Sequence, residues 1–128
     1  QFPAASRLIV DDSRYRQLQP QSGDYVVIAT HHKGDYDALT QALNSRADYM
    51  AMVASRKRAQ LVLQRLRQEG FGDAALARIR APAGLDLGAK LPEEIALSIA
   101  SEMIMLRRGG RGGCLSASPP GAESVTAR

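Results

Sequence analysis

Two apolar runs that end in the same way constrain this chain more than anything else in it. Residues 25–30, Tyr-Val-Val-Ile-Ala-Thr, carry no charge and break into His31-His32-Lys33-Gly34; residues 49–54, Tyr-Met-Ala-Met-Val-Ala, break into Ser55-Arg56-Lys57-Arg58. Each run is followed by apolar residues at three- and four-residue spacing, so the order strand, helix, strand, helix predicts an α/β fold with a parallel sheet. The first run shows no polar alternation, which predicts a strand buried on both faces and therefore central. Both strands then end in polar residues at one edge. The carboxyl edge of an open parallel sheet is where ligands bind, so a site is expected there.

The remaining elements follow in chain order. Arg7-Leu8-Ile9-Val10 reads as a short strand closed by Asp11-Asp12-Ser13, and a brief helical stretch fits Arg14 to Leu18. From Asp35, the residues Tyr36, Leu39 and Leu43 share a helical face beside Ala38 and Ala42, with Gly34 or Asp35 as the cap. Ser55 is a good N-cap for a helix whose stripe is Ala59, Val62, Leu63 and Leu66, and Gly70 stands where a left-handed C-terminal residue belongs. A shorter helix is expected from Asp73 to about Arg80, then a loop through Ala89. The last helix starts at Pro92 with Glu93-Glu94 at the positive end of its dipole, buries Ile95, Ala96, Ile99, Met103 and Leu106, and stops at Gly109. The Gly/Ser/Pro-rich residues 109–128 cannot bury enough surface to offset ordering and are expected to be a disordered tail behind a domain of residues 1–108.

Composition narrows the function classes. The chain has 128 residues, a net charge of +4 and one cysteine, Cys114, which rules out an internal disulfide or a cysteine-cluster metal site. Four of the basic residues (Arg107, Arg108, Arg111, Arg128) lie from residue 107 onward with one acid, Glu123, leaving 13 basic against 12 acidic residues before them. The body is nearly neutral, which argues against a nucleic-acid surface. No apolar run approaches the ~20 residues of a membrane span and no signal-peptide pattern opens the chain, so a cytoplasmic protein with no membrane partner is expected.

The local conflict with most information is Ser55-Arg56-Lys57-Arg58. Three cations in the first turn of a helix face backbone N–H groups that already present positive charge, at a cost of a few tenths of a kcal/mol each. Such a start, with a hydroxyl and guanidinium groups, suits an anion such as phosphate. The alternative is that the side chains fan into solvent. His31 and His32 could ligate a metal, move a proton or bond a phosphate, but neighbours on an extended backbone point in opposite directions and would not hold one metal together. Asp35 and Asp37 could pair with them or simply cap the helix. The loop Gly84-Leu85-Asp86-Leu87-Gly88 could bring N–H groups and a carboxylate to a ligand, or be only a tight connection. There is no G-x-G-x-x-G, Walker or G-x-S-x-G sequence and no nucleophile with a base.

In this order, Thr30-His31, then Ala54-Ser55-Arg56-Lys57, Glu69-Gly70-Phe71, Pro82-Ala83-Gly84-Leu85-Asp86-Leu87-Gly88-Ala89 and Pro92-Glu93-Glu94-Ile95-Ala96-Leu97-Ser98-Ile99-Ala100-Ser101-Glu102 closely resemble the C-terminal Rossmann-like domain of the XdhC/CoxI family from about Phe2 to Gly109. The resemblance implies a truncated Rossmann-like three-layer domain, its short, mostly parallel sheet flanked by helices. It also implies a maturation factor for molybdenum hydroxylases such as xanthine dehydrogenase or carbon monoxide dehydrogenase: a cofactor chaperone rather than an enzyme, which binds the molybdenum cofactor (molybdopterin), supports its sulfuration and passes it to the apoenzyme. The partners implied are that apoenzyme and a sulfurase. Carried over residue by residue, the cofactor-binding candidates are Thr30, His31, Ser55, Arg56, Lys57, Gly84, Asp86 and Gly88, with no catalytic or metal-ligating residue.

The chain lacks the family's first strand with its glycine-rich turn, its N-terminal domain, and the glycine before the serine, here Ala54. A strand left with an open edge invites pairing, so a homodimer, or pairing with the missing half-domain, is expected. Two further readings remain open: half of an NAD(P)-dependent oxidoreductase, which the absent glycine turn opposes, and a module that only docks onto a partner.

Overall fold

The computed structural model describes residues 15, 17–30 and 34–116, and the chain divides into two compact units, Gln1–Ala83 and Gly84–Arg128. The first unit carries β1 (Tyr25–Ile28), α1 (Asp35–Leu43), β2 (Tyr49–Met52), α2 (Arg56–Gln68), α3 (Asp73–Leu76) and β3 (Ile79–Arg80); the second carries α4 (Pro92–Arg108). The strands form a parallel sheet in the order β1-β2-β3, with Tyr25 opposite Tyr49, Ile28 opposite Met52 and Met50 opposite Ile79. Helical crossovers are what parallel neighbours require, and α1 and α2–α3 supply them. The expected α/β architecture, a short parallel sheet flanked by helices, is the one observed.

Aliphatic packing carries the first unit. Leu39, Ala42 and Leu43 of α1, Met50 and Met52 of β2, and Ala59, Val62 and Leu66 of α2 are buried in one cluster with Ile28, Leu76 and Ile79. Each of the Leu, Ile, Val and Met side chains contributes about 1.5–3 kcal/mol by leaving water. The Tyr25 and Tyr49 rings stack with centroids 5.4 Å apart, and the Arg65 guanidinium lies 3.8 Å from the centre of the Tyr36 ring. Arg78 donates to the Leu43 and Ala47 carbonyls and so satisfies the end of α1, which has no basic residue in its own last turn.

Four expectations are corrected. The helix from Asp73 ends at Leu76, and Ile79–Arg80 pairs with Met50 and Ala51 as a strand. The central strand among the described residues is β2, buried at all four positions, whereas Val27 in β1 is 41% exposed. Of the expected α4 stripe, only Ile99 is buried; Ser98 and Glu102 join it, while Ala96 and Leu106 are exposed. Tyr15, Gln17 and Leu18 are not helical. The expected strand at Arg7–Val10 and residues 117–128 lie outside the described residues.

The helix termini follow the sequence signals. Ser55 Oγ accepts from the Arg58 N–H at 3.1 Å, Gly34 caps α1 with φ 87°, and Gly70 and Gly109 are left-handed at φ 105° and 79°. In the second unit, Pro92 occupies the first turn of α4, and the Glu94 carboxylate accepts from the Leu91 and Lys90 N–H groups at 2.9 and 3.0 Å.

Candidate functional site

In the first unit, Thr30 follows the end of β1 and Ser55 to Arg58 follow the end of β2, so the parallel register of the two strands puts both at the carboxyl edge of the sheet. Neighbouring strands lie about 4.8 Å apart, which makes these two ends adjacent. The hydrogen bond from the Val53 N–H to the Ile28 carbonyl extends the β1–β2 ladder toward this edge, and the Ala83 N–H bonded to the Met52 carbonyl closes its other side.

The four residues after β2 divide into two sets. Arg56 and Lys57 are exposed. Arg58 turns toward Asp35: its Nε lies 3.3 Å from Asp35 Oδ2, with 31% of the Arg58 side chain and 1% of the Asp35 side chain exposed. Asp35 Oδ1 accepts from the Thr30 hydroxyl. One buried carboxylate at the first position of α1 thus ties together the end of β1, the start of α1 and the start of α2. The conflict of three cations in one helical turn is partly resolved, because the third is compensated from another helix. Ser55 Oγ is engaged as the helix cap, which leaves Arg56 and Lys57 as the exposed cations of the α2 start.

This Asp35 link escaped the sequence reading. Its signal, an acid opening a helix, also fits plain capping, and nothing in the spacing pairs it with a cation 23 positions further on. His31 lies outside the described residues. Asp37 is exposed. A groove of about 440 Å3 follows β1 as far as Ala29 and Thr30; Tyr15, Leu18, Val27 and Ala38 are among its lining residues, and none of them belongs to β2.

The second unit holds the remaining candidates. Gly84 has φ 101°, donates its N–H to Glu102 Oε1 at 3.0 Å, and lies so close to α4 that a Cβ there would collide with Ser98 Oγ. The Leu85 N–H donates to the Ser98 carbonyl at 3.2 Å. Close packing therefore demands glycine at 84. Gly88, with φ 71°, faces open space, and Asp86 is exposed.

The parallel sheet, its helical crossovers and the polar carboxyl edge define a Rossmann-like domain. Residues 1–103 match the family model of the XdhC Rossmann domain, and the chain belongs to that family. It is 30% identical to the uncharacterized protein YqeB of Escherichia coli K12 over 99% of this chain and 24% of that protein. It is 29% identical to a protein of Bacillus subtilis 168 described as a probable xanthine dehydrogenase component, over 84% of this chain and 31% of that protein. Among solved structures it is similar to a xanthine dehydrogenase from Bacillus halodurans, with 30% identity and a TM-score of 0.66 over 91% of this chain and 32% of that one. The chain spans about a quarter to a third of the length of these relatives.

Proposed function

We propose that this chain serves molybdenum hydroxylases of the xanthine dehydrogenase or carbon monoxide dehydrogenase type as an accessory factor that holds the molybdenum cofactor as cargo and supports its sulfuration or insertion. The observation that carries the reading is membership of the XdhC Rossmann family together with one relative described as a probable xanthine dehydrogenase subunit and a similar solved structure described as a xanthine dehydrogenase. The edge residues fit such a cargo in kind. Molybdopterin carries a phosphate, and Arg56 and Lys57 offer two outward cations at a helix start whose backbone N–H groups also favour an anion.

In this reading Arg56 and Lys57 hold the phosphate, Ser55 fixes the helix start, and Thr30 borders the cargo from the end of β1; His31, outside the described residues, is a further candidate that the family resemblance implies. Gly84, Asp86 and Gly88 are further cofactor-binding candidates that the family resemblance implies. The partners are the apoenzyme and a sulfurase. The test is activation of a cofactor-free molybdenum hydroxylase by the cofactor-loaded chain. Activation above that by free cofactor is expected; none, with no complex between chain and apoenzyme, overturns the reading.

A further inference from the structure

We propose that the exposed face of α4 is a self-docking surface, on which two copies of this chain pair antiparallel about a two-fold axis. The inference is independent of the cofactor reading, since it uses none of the residues assigned to the cargo.

Six positions of α4 carry it: Glu93, Leu97, Ala100, Ser101, Ile104 and Arg108. At 3.6 residues per turn they fall within an arc of about 100°. The buried Ile99 and Glu102 lie on the opposite side, so this stripe is the side that α4 turns outward. Leu97 is 62% exposed and Ile104 55%, with Ala100 exposed and Ser101 half-buried between them. A single exposed leucine is ordinary on a protein surface. Two large apolar side chains on one face at seven-residue spacing, with small residues between them, form a helix-packing seam. Glu93 and Arg108, both exposed, close the stripe at its two ends.

The stripe is self-complementary. Glu93 and Arg108, Leu97 and Ile104, and Ala100 and Ser101 are each equidistant from the point between residues 100 and 101. A two-fold axis through that point sets Glu93 of each copy against Arg108 of the other, and Leu97 against Ile104. The small side chains at the crossing let the helix axes approach to about 8 Å, the close end of helix packing. A parallel pair would instead set Glu93 on Glu93 and Arg108 on Arg108. The end charges also complement the dipole of α4 itself, but that leaves the exposed Leu97 and Ile104 without an account. Contact through one helix face per copy lies at the low end of specific interfaces, below about 1,200 Å2 in total, so pairing is expected at roughly hundreds of micromolar.

The experiment is sedimentation equilibrium of the full chain carrying Val27→Lys, which separates this contact from one at the β1 edge. A monomer–dimer equilibrium with a dissociation constant of roughly hundreds of micromolar is expected. Glu93→Arg and Arg108→Glu, added singly, should each raise that constant roughly tenfold, because the axis counts the pair twice and reversal turns attraction into repulsion. Added together they should restore it. Each reversal also opposes the α4 dipole, so a loss through helix stability would accumulate in the double variant rather than cancel. If the double variant proves unfolded by circular dichroism, cross-linking decides. With the exposed native thiol removed by Cys114→Ser, Ala100→Cys should form an intermolecular disulfide on air oxidation and Glu93→Cys should not. Cross-linking of both means parallel pairing and overturns the two-fold arrangement. A monomer throughout, a dimer that neither single reversal weakens, or further loss in a folded double variant overturns the inference.

Discussion

Asp35 Oδ2 and Arg58 Nε, 3.3 Å apart, join the start of α1 to the first turn of α2 and hold the two helix starts at one edge of the sheet. The pair is asymmetric, with the acid almost fully buried and the base partly exposed. Arg58→Ala strands a buried carboxylate, and the cost should fall at the lower end of that for breaking buried pairs, about 3 kcal/mol. Urea denaturation of Arg58→Ala, Asp35→Ala and the double variant gives a cycle whose coupling should exceed about 1 kcal/mol; additivity would mean the pair contributes nothing.

Gly84 and Gly88 provide a paired test of the loop before α4. Both have positive φ, but only Gly84 is pressed against Ser98. Gly84→Ala should cost about 2–4 kcal/mol, from backbone conformation plus overpacking. Gly88→Ala should cost about 1 kcal/mol, from conformation alone. Thermal denaturation of the two variants measures the difference, and equal losses would contradict the close packing.

Acid should loosen the start of α4. The Leu91 and Lys90 N–H groups favour the charged form of Glu94 and hold its pKa below the ordinary carboxylate value. A depressed folded pKa means the stabilisation is fully present above the unfolded value of about 4.3 and is lost as the pH falls through the lower folded one. Amide exchange at Lys90 and Leu91, corrected for intrinsic rates, should therefore speed up in that acid window. Glu94→Gln should remove the pH dependence.

Among the described residues β1 is an edge strand of the sheet, and its outer edge should promote self-association. The Asp24 and Ile28 carbonyls bond toward β2, so the alternate residues Tyr25 and Val27 direct their backbone groups the other way. Edge strands of natural sheets are commonly blunted by charge or proline, and Tyr25–Ile28 has neither. Light scattering at tens of micromolar, a routine range for weak pairing, should report a dimer that Val27→Lys dissociates. A stable wild-type monomer would contradict this.

Long periodic segments were legible in the sequence and short tertiary ones were not. The two apolar runs and the stripes Leu39–Leu43 and Ala59–Leu66 announced β1, β2, α1 and α2 because each fills several turns or pleats. Ile79–Arg80 is two residues long and is a strand only because Met50 and Ala51 lie beside it, so no periodicity could reveal it. Central placement of residues 25–30 was inferred from their apolar character, yet Val27 is exposed. In the site, the cations after β2 were visible as a broken helix rule. Their division into two outward charges and one inward charge depends on Asp35, which only the fold brings near.

The most direct measurement of the central claim is equilibrium binding of purified molybdenum cofactor to the full chain, with and without Arg56→Ala and Lys57→Ala. Saturable binding by wild type is expected, weakened by at least tenfold, or about 1.4 kcal/mol, in the double variant. Equal binding by the two forms would contradict the site at the start of α2, and no binding by either would contradict the proposed function.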